Sequence, residues 1–162
     1  MTLSRKIADA IEAHARHAAG APGAIRAETD AHRIALHDAV GGPVGVGCTA
    51  LDFAATDPDP ALSGAALRAW GDRLAGRLTY LMEPLVVLEV DDLVGSAKLR
   101  SQAPTARGDV RSYYEIRLGR DRSLRLRRIS FDDATRQRRP APCQFTGEVV
   151  ERLADDLVAT SA

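Results

Sequence analysis

Residues 111–131 read RSYYEIRLGRDRSLRLRRISF, and this stretch decides the fold. Apolar and polar residues alternate on both sides of a short loop, which is the pattern of two antiparallel strands joined as a hairpin. We place Leu118 opposite Leu124. In that register Ile116 and Leu126 share the core side of the hairpin, because successive side chains of a strand point to opposite faces.

The same register brings two arginines together on the other side of the hairpin. Arg117 falls opposite Arg125, while Glu115 faces Arg127. Like charges directly opposite one another on neighbouring strands cost stability unless an anion lies between them. We therefore propose a surface that binds a partner or an anion, and its candidate residues are Arg100, Arg117, Arg125, Arg127 and Tyr114.

Further elements are predicted on both sides of this hairpin. Apolar residues at spacings of three and four predict helices, and alternation around the Gly/Pro turn at 41–43 predicts a second hairpin. The predicted helices cover residues 4–19, 63–81 and 147–158. The predicted strands cover residues 33–40, 44–53, 85–90, 97–101, 111–118 and 123–131, of which 85–90 is expected to be buried on both faces.

The order of these elements predicts an α+β fold in one domain that spans residues 1–162. We expect an antiparallel sheet of about five to seven strands packed against two or three helices, in the order α-ββ-α-ββββ-α. The apolar stripe of the first helix is mostly alanine. Residues 1–20 are therefore expected to dock loosely on the domain or to lie at an oligomer interface.

Charge is balanced overall but unevenly distributed along the chain. The 162 residues contain 22 Lys and Arg against 22 Asp and Glu, whereas residues 100–139 contain 12 Arg against five acidic residues. An arginine fork binds a carboxylate or a phosphate through paired hydrogen bonds. The alternative is that the chain neutralises these arginines itself, through the acidic residues of the last helix, Glu148, Glu151, Asp155 and Asp156.

Composition argues against several classes of function. Zero net charge and few aromatic residues argue against nucleic-acid binding. No apolar run reaches the roughly 18 residues of a membrane span, and no apolar stretch near Met1 has the character of a signal peptide. Cys48 and Cys143 are the two cysteines and form no CxxC motif; this scarcity, together with the lack of a signal peptide, favours a reducing cytoplasm.

No constellation of residues predicts catalysis, a metal or a cofactor. His14 and His17 offer two ligands at a helical spacing, where zinc needs three or four. Cys48 lacks an adjacent base and is expected to point inward. The pairs at 91–92 and 132–133 are acidic, but adjacent residues of a strand point to opposite faces, and both pairs are explained as turn formers.

Four short stretches carry a resemblance to a known family. They are LTYLMEP at 78–84, LEVD at 88–91, LRS at 99–101 and YYE at 113–115. Together they are similar to an uncharacterised family of bacterial, planctomycete-type domains, over residues 62–158, and this resemblance implies no activity. The order of elements also resembles that of small type III secretion chaperones, which are cytosolic dimers that hold a partner chain. Those chaperones are usually acidic, whereas this chain is neutral.

The sequence favours a non-enzymatic protein-interaction module of the cytoplasm. We expect a homodimer whose Arg-rich hairpin face binds an acidic protein, with no contact to a membrane. The alternative is a protein that binds a small anionic ligand, or an unrecognised enzyme. Its ligand would place an anionic end near Arg100, Arg117 or Arg125, in a concavity between the sheet and a helix.

Overall fold

The computed structural model describes residues 1–18, 20–81, 83–101 and 104–161, and within them lie three helices and a sheet of eleven strands. The helices are α1 (Leu3–His17), α2 (Gly64–Arg77) and α3 (Gly147–Thr160). The strands are β1 (Gly23–Glu28), β2 (His32–Gly41), β3 (Gly45–Cys48), β4 (Ala50–Ala55), β5 (Leu85–Asp91), β6 (Ser96–Ser101), β7 (Thr105–Arg107), β8 (Val110–Gly119), β9 (Ser123–Asp132), β10 (Gln137–Ala141) and β11 (Cys143–Thr146).

The strands form one antiparallel sheet in the order β11-β3-β2-β4-β9-β8-β6-β5. Outside this path, β1 pairs with β2, β7 with β8, and β10 with β9. The β4–β9 pairing joins the two hairpins that the sequence predicts, since residues 51–54 lie opposite residues 123–126. The α+β class is therefore confirmed, and the described sheet is larger than the predicted five to seven strands.

The three helices contact one face of the sheet. α1 packs against β1, β2 and α3, while α2 packs against β5, β6 and α3. The side chains between these layers form a continuous hydrophobic core. The largest fully buried members are Trp70, Phe53, Ile7, Ile34, Leu36, Leu51, Leu67, Leu74, Leu78, Leu99, Ile116 and Leu118. Ile7 in α1 is completely buried within one copy of the chain, next to Leu3 and Ile11.

A polar side chain starts each helix. Thr2 accepts a hydrogen bond from the backbone N–H of Arg5, and Ser63 and Thr146 make the corresponding contacts at α2 and α3. Such N-caps satisfy backbone donors that the first helical turn leaves unpaired. The predicted starts of the second and third helices are thus confirmed.

Three predicted boundaries need correction. α2 ends at Arg77 rather than at residue 81, because Leu78 leaves helical geometry (ψ 67°), although its side chain stays in the core. β5 is not buried on both faces: it ends the strand order, and Leu88 is 46% exposed. α1 ends at His17, and Ala19 at the end of the predicted first helix lies outside the described residues.

Four short strands, β1, β7, β10 and β11, and the division of the predicted strand 44–53 into β3 and β4 account for the difference in strand number. β10 contains Arg138, Arg139 and Pro140, and most of its side chains are exposed, so it carries no alternation of apolar residues. It joins the sheet through backbone pairing with β9. A periodicity analysis detects strands by their buried side chains, and such a strand gives it no signal.

A tight backbone contact between β3 and β11 generates the first prediction. A Cβ atom at Gly45 would lie 2.1 Å from the carbonyl oxygen of Phe145, whereas a Cβ at Gly76 in α2 meets nothing within 4 Å. Gly45→Ala should lower the free energy of unfolding by about 2 kcal/mol, because the two strands must separate. Gly76→Ala is the matched control and should raise it by about 0.5 kcal/mol. Urea unfolding of both variants measures the difference, and equal effects would contradict the β3–β11 pairing.

Candidate functional site

The sheet face turned away from the helices, which we call the free face, carries arginines of the β8–β9 hairpin. Arg117 lies opposite Arg125, in the register that the sequence predicts. Strand pairing extends this row to Lys98 on β6 and to Asp52 on β4. We call Asp52, Arg125, Arg117 and Lys98 the charged row; it crosses four neighbouring strands.

A second row, made of small side chains, runs beside the charged row. It contains Ala54, Ser123, Gly119 and Ser96, each two residues along its strand from a member of the charged row. These side chains end close to the backbone and leave a cavity of about 740 Å³, which we call the groove. The groove extends from β1 to β6, over six strands, so it is about 24 Å long at the usual strand spacing.

Arginines line the groove at both ends. Arg26 and Arg33 lie at the β1–β2 end, and Arg117 and Arg125 lie toward β8 and β9. Against these four guanidinium groups, the lining contains two carboxylates, those of Glu28 and Asp52. The groove therefore combines a floor of small side chains with an excess of positive charge.

Asp52 fixes one of these arginines in place. Arg125 donates from Nε and Nη2 to the two carboxylate oxygens, at 2.7 Å each, and the Nε2 atom of His37 lies 2.7 Å from Oδ2. Burial acts to raise the pKa of Asp52, but the hydrogen bonds from Arg125 and His37 outweigh it and hold this pKa below its ordinary value. Two of the five N–H donors of Arg125 are used in this contact, which leaves the others for a ligand.

Glu115 lies beneath the charged side chains of the free face, with its own side chain 2% exposed. Lys98 Nζ is 3.4 Å and Arg117 Nη2 is 3.8 Å from its Oε1 atom. Arg127 Nη2 is 3.4 Å from Oε2, and Arg138 donates to the same oxygen. One carboxylate thus serves four cations, and this part of the free face keeps a positive excess.

The carboxylates that contact the hairpin arginines lie on the sheet and its turns. Arg111 at the start of β8 pairs with Asp133 at 2.8 Å. In α3, which the sequence offers as the alternative source of neutralisation, Asp156 is instead held by Arg77 of α2 at 2.8 Å and by Arg152. Asp156 of the last helix therefore binds basic residues of the helical layer.

The rest of the free face is covered by arginines that lie over aromatic rings. The guanidinium of Arg100 is 5.1 Å from the ring centre of Tyr113. Those of Arg111 and Arg136 lie 5.5 and 5.6 Å from the ring centre of Phe131. Because the long stem of arginine can cover apolar surface while its charge stays in water, these side chains take the place of a helical layer.

Tyr114, a predicted member of the site, points to the opposite face of the sheet. It is 2% exposed and lies in the hydrophobic core, and burial raises its pKa. The guanidinium of Arg128 lies 4.7 Å from its ring centre and donates to Glu83 at 3.1 Å. The structure therefore brings Arg117, Arg125 and Arg127 together, places Arg100 nearby over Tyr113, and separates Tyr114 from them.

The concavity expected between the sheet and a helix is filled. Trp70 and Leu74 of α2 and Phe53 of β4 are buried in that layer. Side chains of this size occupy the space on the helical side, whereas alanine, serine and glycine leave space on the free face. The groove consequently lies on the side of the sheet opposite to the expected one.

Sequence reasoning did not identify Arg33 or Asp52 as site residues. A signal for Arg33 exists, because it alternates with the apolar residues of β2 together with Ala35 and His37. No comparable signal exists for Asp52. Its partner Arg125 is 73 residues away, and only the β4–β9 pairing brings the two together.

The two cysteines, 95 residues apart in the sequence, are neighbours in the sheet. Cys48 on β3 lies directly opposite Cys143 on β11, and both side chains are buried and reduced. A hydrogen bond between the two sulfurs, together with burial, raises the pKa of Cys48, so its thiol stays protonated.

The described residues contain neither a cluster of metal ligands nor a membrane-spanning helix. Among residues 1–18, 20–81, 83–101 and 104–161, no three His, Cys, Asp or Glu side chains come together as ligands for a metal ion. Over the same residues, no helix is both long and apolar enough to span a bilayer.

Comparison with known proteins identifies no relative of this chain. A scan of protein-family models, a search of curated proteins and a search of solved structures found no match to this chain. The residues of the free face are therefore the evidence for function.

The lowered pKa of Asp52 generates the second prediction. A carboxyl whose pKa is lower in the folded than in the unfolded chain stabilises the fold above its unfolded pKa, and this stabilisation is lost as the pH falls. Asp52→Asn should lower the free energy of unfolding by about 1 kcal/mol at neutral pH, because the contacts are partly exposed. The difference from the unsubstituted protein should shrink as the pH falls below the ordinary pKa of aspartate, about 3.9, and should be lost below the lower pKa of the folded state.

Urea unfolding across this pH range tests the expectation. Asp9→Asn is the control, since Asp9 pairs with Arg5 in an exposed contact on α1. Its effect on the free energy of unfolding should be smaller than that of Asp52→Asn at neutral pH. A difference for Asp52→Asn that stays constant or grows toward acid pH would contradict the stabilising role of Asp52.

Proposed function

We propose that this chain is a non-enzymatic binding protein of the cytoplasm that holds an anionic ligand in the groove. The observation that carries the proposal is a cavity of about 740 Å³ lined by four arginines and two carboxylates. Ligand sites are typically concave and mostly apolar, with a few placed polar groups that orient the ligand. The groove has this combination.

The charges of the groove indicate where an anionic group would bind. Within the described parts of the chain, Arg26 and Arg33 form no ion pair, and Arg117 has only a 3.8 Å contact with Glu115. These guanidinium groups are free to bind a carboxylate, a sulfonate or a phosphate. Arg125, which Asp52 holds, is oriented rather than free.

The shape of the groove indicates what the rest of the ligand is like. Ala35 and Ala54 line its floor, and the small-residue row continues from Ala54 for about 14 Å across four strands. A floor of this kind favours an extended or flat apolar body. The proposed ligand therefore joins an apolar body to an anionic end.

A second candidate function is the binding of an acidic segment of a partner protein. The observation that favours it is the spread of exposed arginine beyond the groove, at Arg100, Arg111, Arg136, Arg138 and Arg139. A small molecule in the groove would not reach all of these side chains. An acidic protein surface would, and its association would weaken with salt.

The third prediction tests the groove with anilinonaphthalenesulfonate, a fluorescent probe that joins an apolar ring system to a sulfonate. Arg33→Ala and Arg117→Ala should each weaken its binding about tenfold, because each removes a charged hydrogen-bond donor. Asp52→Asn should strengthen binding, because it removes a negative charge from the groove. Fluorescence titration of the folded proteins measures these affinities.

Two further variants make this test specific. Arg68→Ala removes an exposed arginine of α2, outside the groove, and should leave the affinity unchanged. Ala35→Leu fills the floor between Arg26 and Asp52 and should abolish binding while the fold is kept. Equal affinities for all variants would show that the probe does not bind in the groove, and the proposed function would fall.

We also propose that the chain forms a homodimer. The end strand β5 and its turn support this, since Leu88, Leu93 and Val94 are exposed apolar residues there. An end strand with exposed apolar side chains can pair with the same strand of a second copy.

The fourth prediction concerns this oligomeric state. Size-exclusion chromatography with light scattering should give twice the chain mass of 17.4 kDa. Leu88→Lys should shift the mass to that of one chain, because a charge on the end strand opposes edge-to-edge pairing. Val44→Lys, at the exposed β2–β3 turn, is the control and should keep the dimer. A single-chain mass for the unsubstituted protein would overturn the homodimer.

A further inference from the structure

A second cavity adjoins the groove and has a different composition. It has a volume of about 270 Å³ and is lined by Glu115, Arg117, Arg125 and Arg127. We propose that this cavity, which we call the Glu115 cavity, binds hydrogen phosphate and rejects sulfate. This inference rests on the proposed function and names the anionic group that the groove analysis leaves open.

The charge around the cavity favours an anion. Glu115 is the common partner of four cations, and three of the groups that line the cavity are guanidinium groups. Arg117 and Arg125 are direct neighbours across β8 and β9, with Cβ atoms about 5 Å apart in such a pair. An anion between them converts a repulsive pair into two attractive contacts.

The buried carboxylate determines which anion fits. Glu115 is 98% buried; among the described residues its Oε1 atom accepts no hydrogen bond, while Lys98 Nζ and Arg117 Nη2 lie 3.4 and 3.8 Å away as ion-pair partners. The two cations neutralise charge at Oε1 without donating a hydrogen bond to it, so this oxygen can accept one from a ligand with an O–H group. Because a carboxylate only accepts hydrogen bonds, an anion without a proton would place its lone pairs against those of Oε1.

Hydrogen phosphate supplies both an O–H donor for Oε1 and acceptor oxygens for the arginines, whereas sulfate supplies only the acceptor oxygens. At neutral pH inorganic phosphate keeps at least one proton, so its P–O–H group donates to Oε1 while its other oxygens accept from the arginines. Sulfate has nearly the same size and charge but no proton to donate at this pH. The arginines should bind both anions similarly, so a difference between the phosphate and sulfate affinities reports the contribution of Glu115.

The phosphate can be free or part of a phosphate monoester, and the groove distinguishes these sources. Arg117 and Arg125 line both the Glu115 cavity and the groove. A monoester can therefore place its phosphate in the cavity and its apolar body along the groove. Phenyl phosphate should bind more tightly than inorganic phosphate if the ligand is a monoester, and equally or more weakly if the ligand is free phosphate.

Isothermal titration calorimetry of the unsubstituted full chain, at neutral pH and constant ionic strength, tests the inference without any variant. Inorganic phosphate should bind at least about tenfold more tightly than sulfate, the ratio expected for one buried charged hydrogen bond. Equal affinities for phosphate and sulfate, or binding of neither, would overturn the phosphate assignment.

Two variants locate the site, and a third is their control. Arg127 lines the Glu115 cavity but not the groove, so Arg127→Ala should weaken phosphate binding about tenfold and leave the binding of anilinonaphthalenesulfonate unchanged. Glu115→Gln should bind sulfate as well as phosphate, because the amide donates a hydrogen bond where the carboxylate accepts one. Arg139→Ala removes an arginine that contacts Gln137 and should change neither affinity.

The outcomes separate this inference from the proposed function. Binding of the sulfonate probe in the groove without preference for phosphate over sulfate would remove the phosphate assignment and keep the groove. If the probe, phosphate and phenyl phosphate all fail to bind, both the phosphate assignment and the proposed function are wrong. If Glu115→Gln does not fold, two measurements still test the phosphate assignment. They are the ratio of the phosphate and sulfate affinities of the unsubstituted protein and the effect of Arg127→Ala on phosphate binding.

Discussion

A sheet has two faces, and this chain packs its three described helices on one of them. The apolar residues of the strands alternate so that Leu36, Leu51 and Ile116 meet those helices. The opposite face must then be covered by the side chains of the strands themselves. This one-sided burial accounts for the arginines, for the buried Glu115 and for the groove.

The free face meets this requirement in two different ways. Over β8, β9 and β10, arginine stems lie on Tyr113 and Phe131 and keep their charges in water. Such covering carries a cost of like-charge repulsion, and Glu115 offsets part of it by contacting four cations. At Ala35 and along the small-residue row from Ala54 to Ser96, the side chains are too short to cover the sheet, and the floor of the groove is left open.

The sequence predicts local pairing well and distant pairing poorly. The register of the β8–β9 hairpin, with Arg117 opposite Arg125, follows from alternation alone because the two strands are adjacent in the chain. The same alternation places Tyr114 on the side of Ile116, so the sequence already separates it from the arginines. The contact of Asp52 with Arg125 depends on strands that are far apart in the chain, which no local pattern specifies. β10 escapes detection because it joins the sheet through backbone pairing with little alternation, and β11 because its alternation covers only four residues.

The position of the last two strands has a consequence for how the protein is made. β10 lies against β9, and β11 lies against β3, so residues 137–146 join the first third of the chain to the last. During synthesis the β2–β3 hairpin leaves the ribosome with its outer edge unpaired, and it stays so until about one hundred further residues have been added. During this time the outer edge of β3 can pair with strand edges of other chains. The translation rate sets how long the edge stays unpaired.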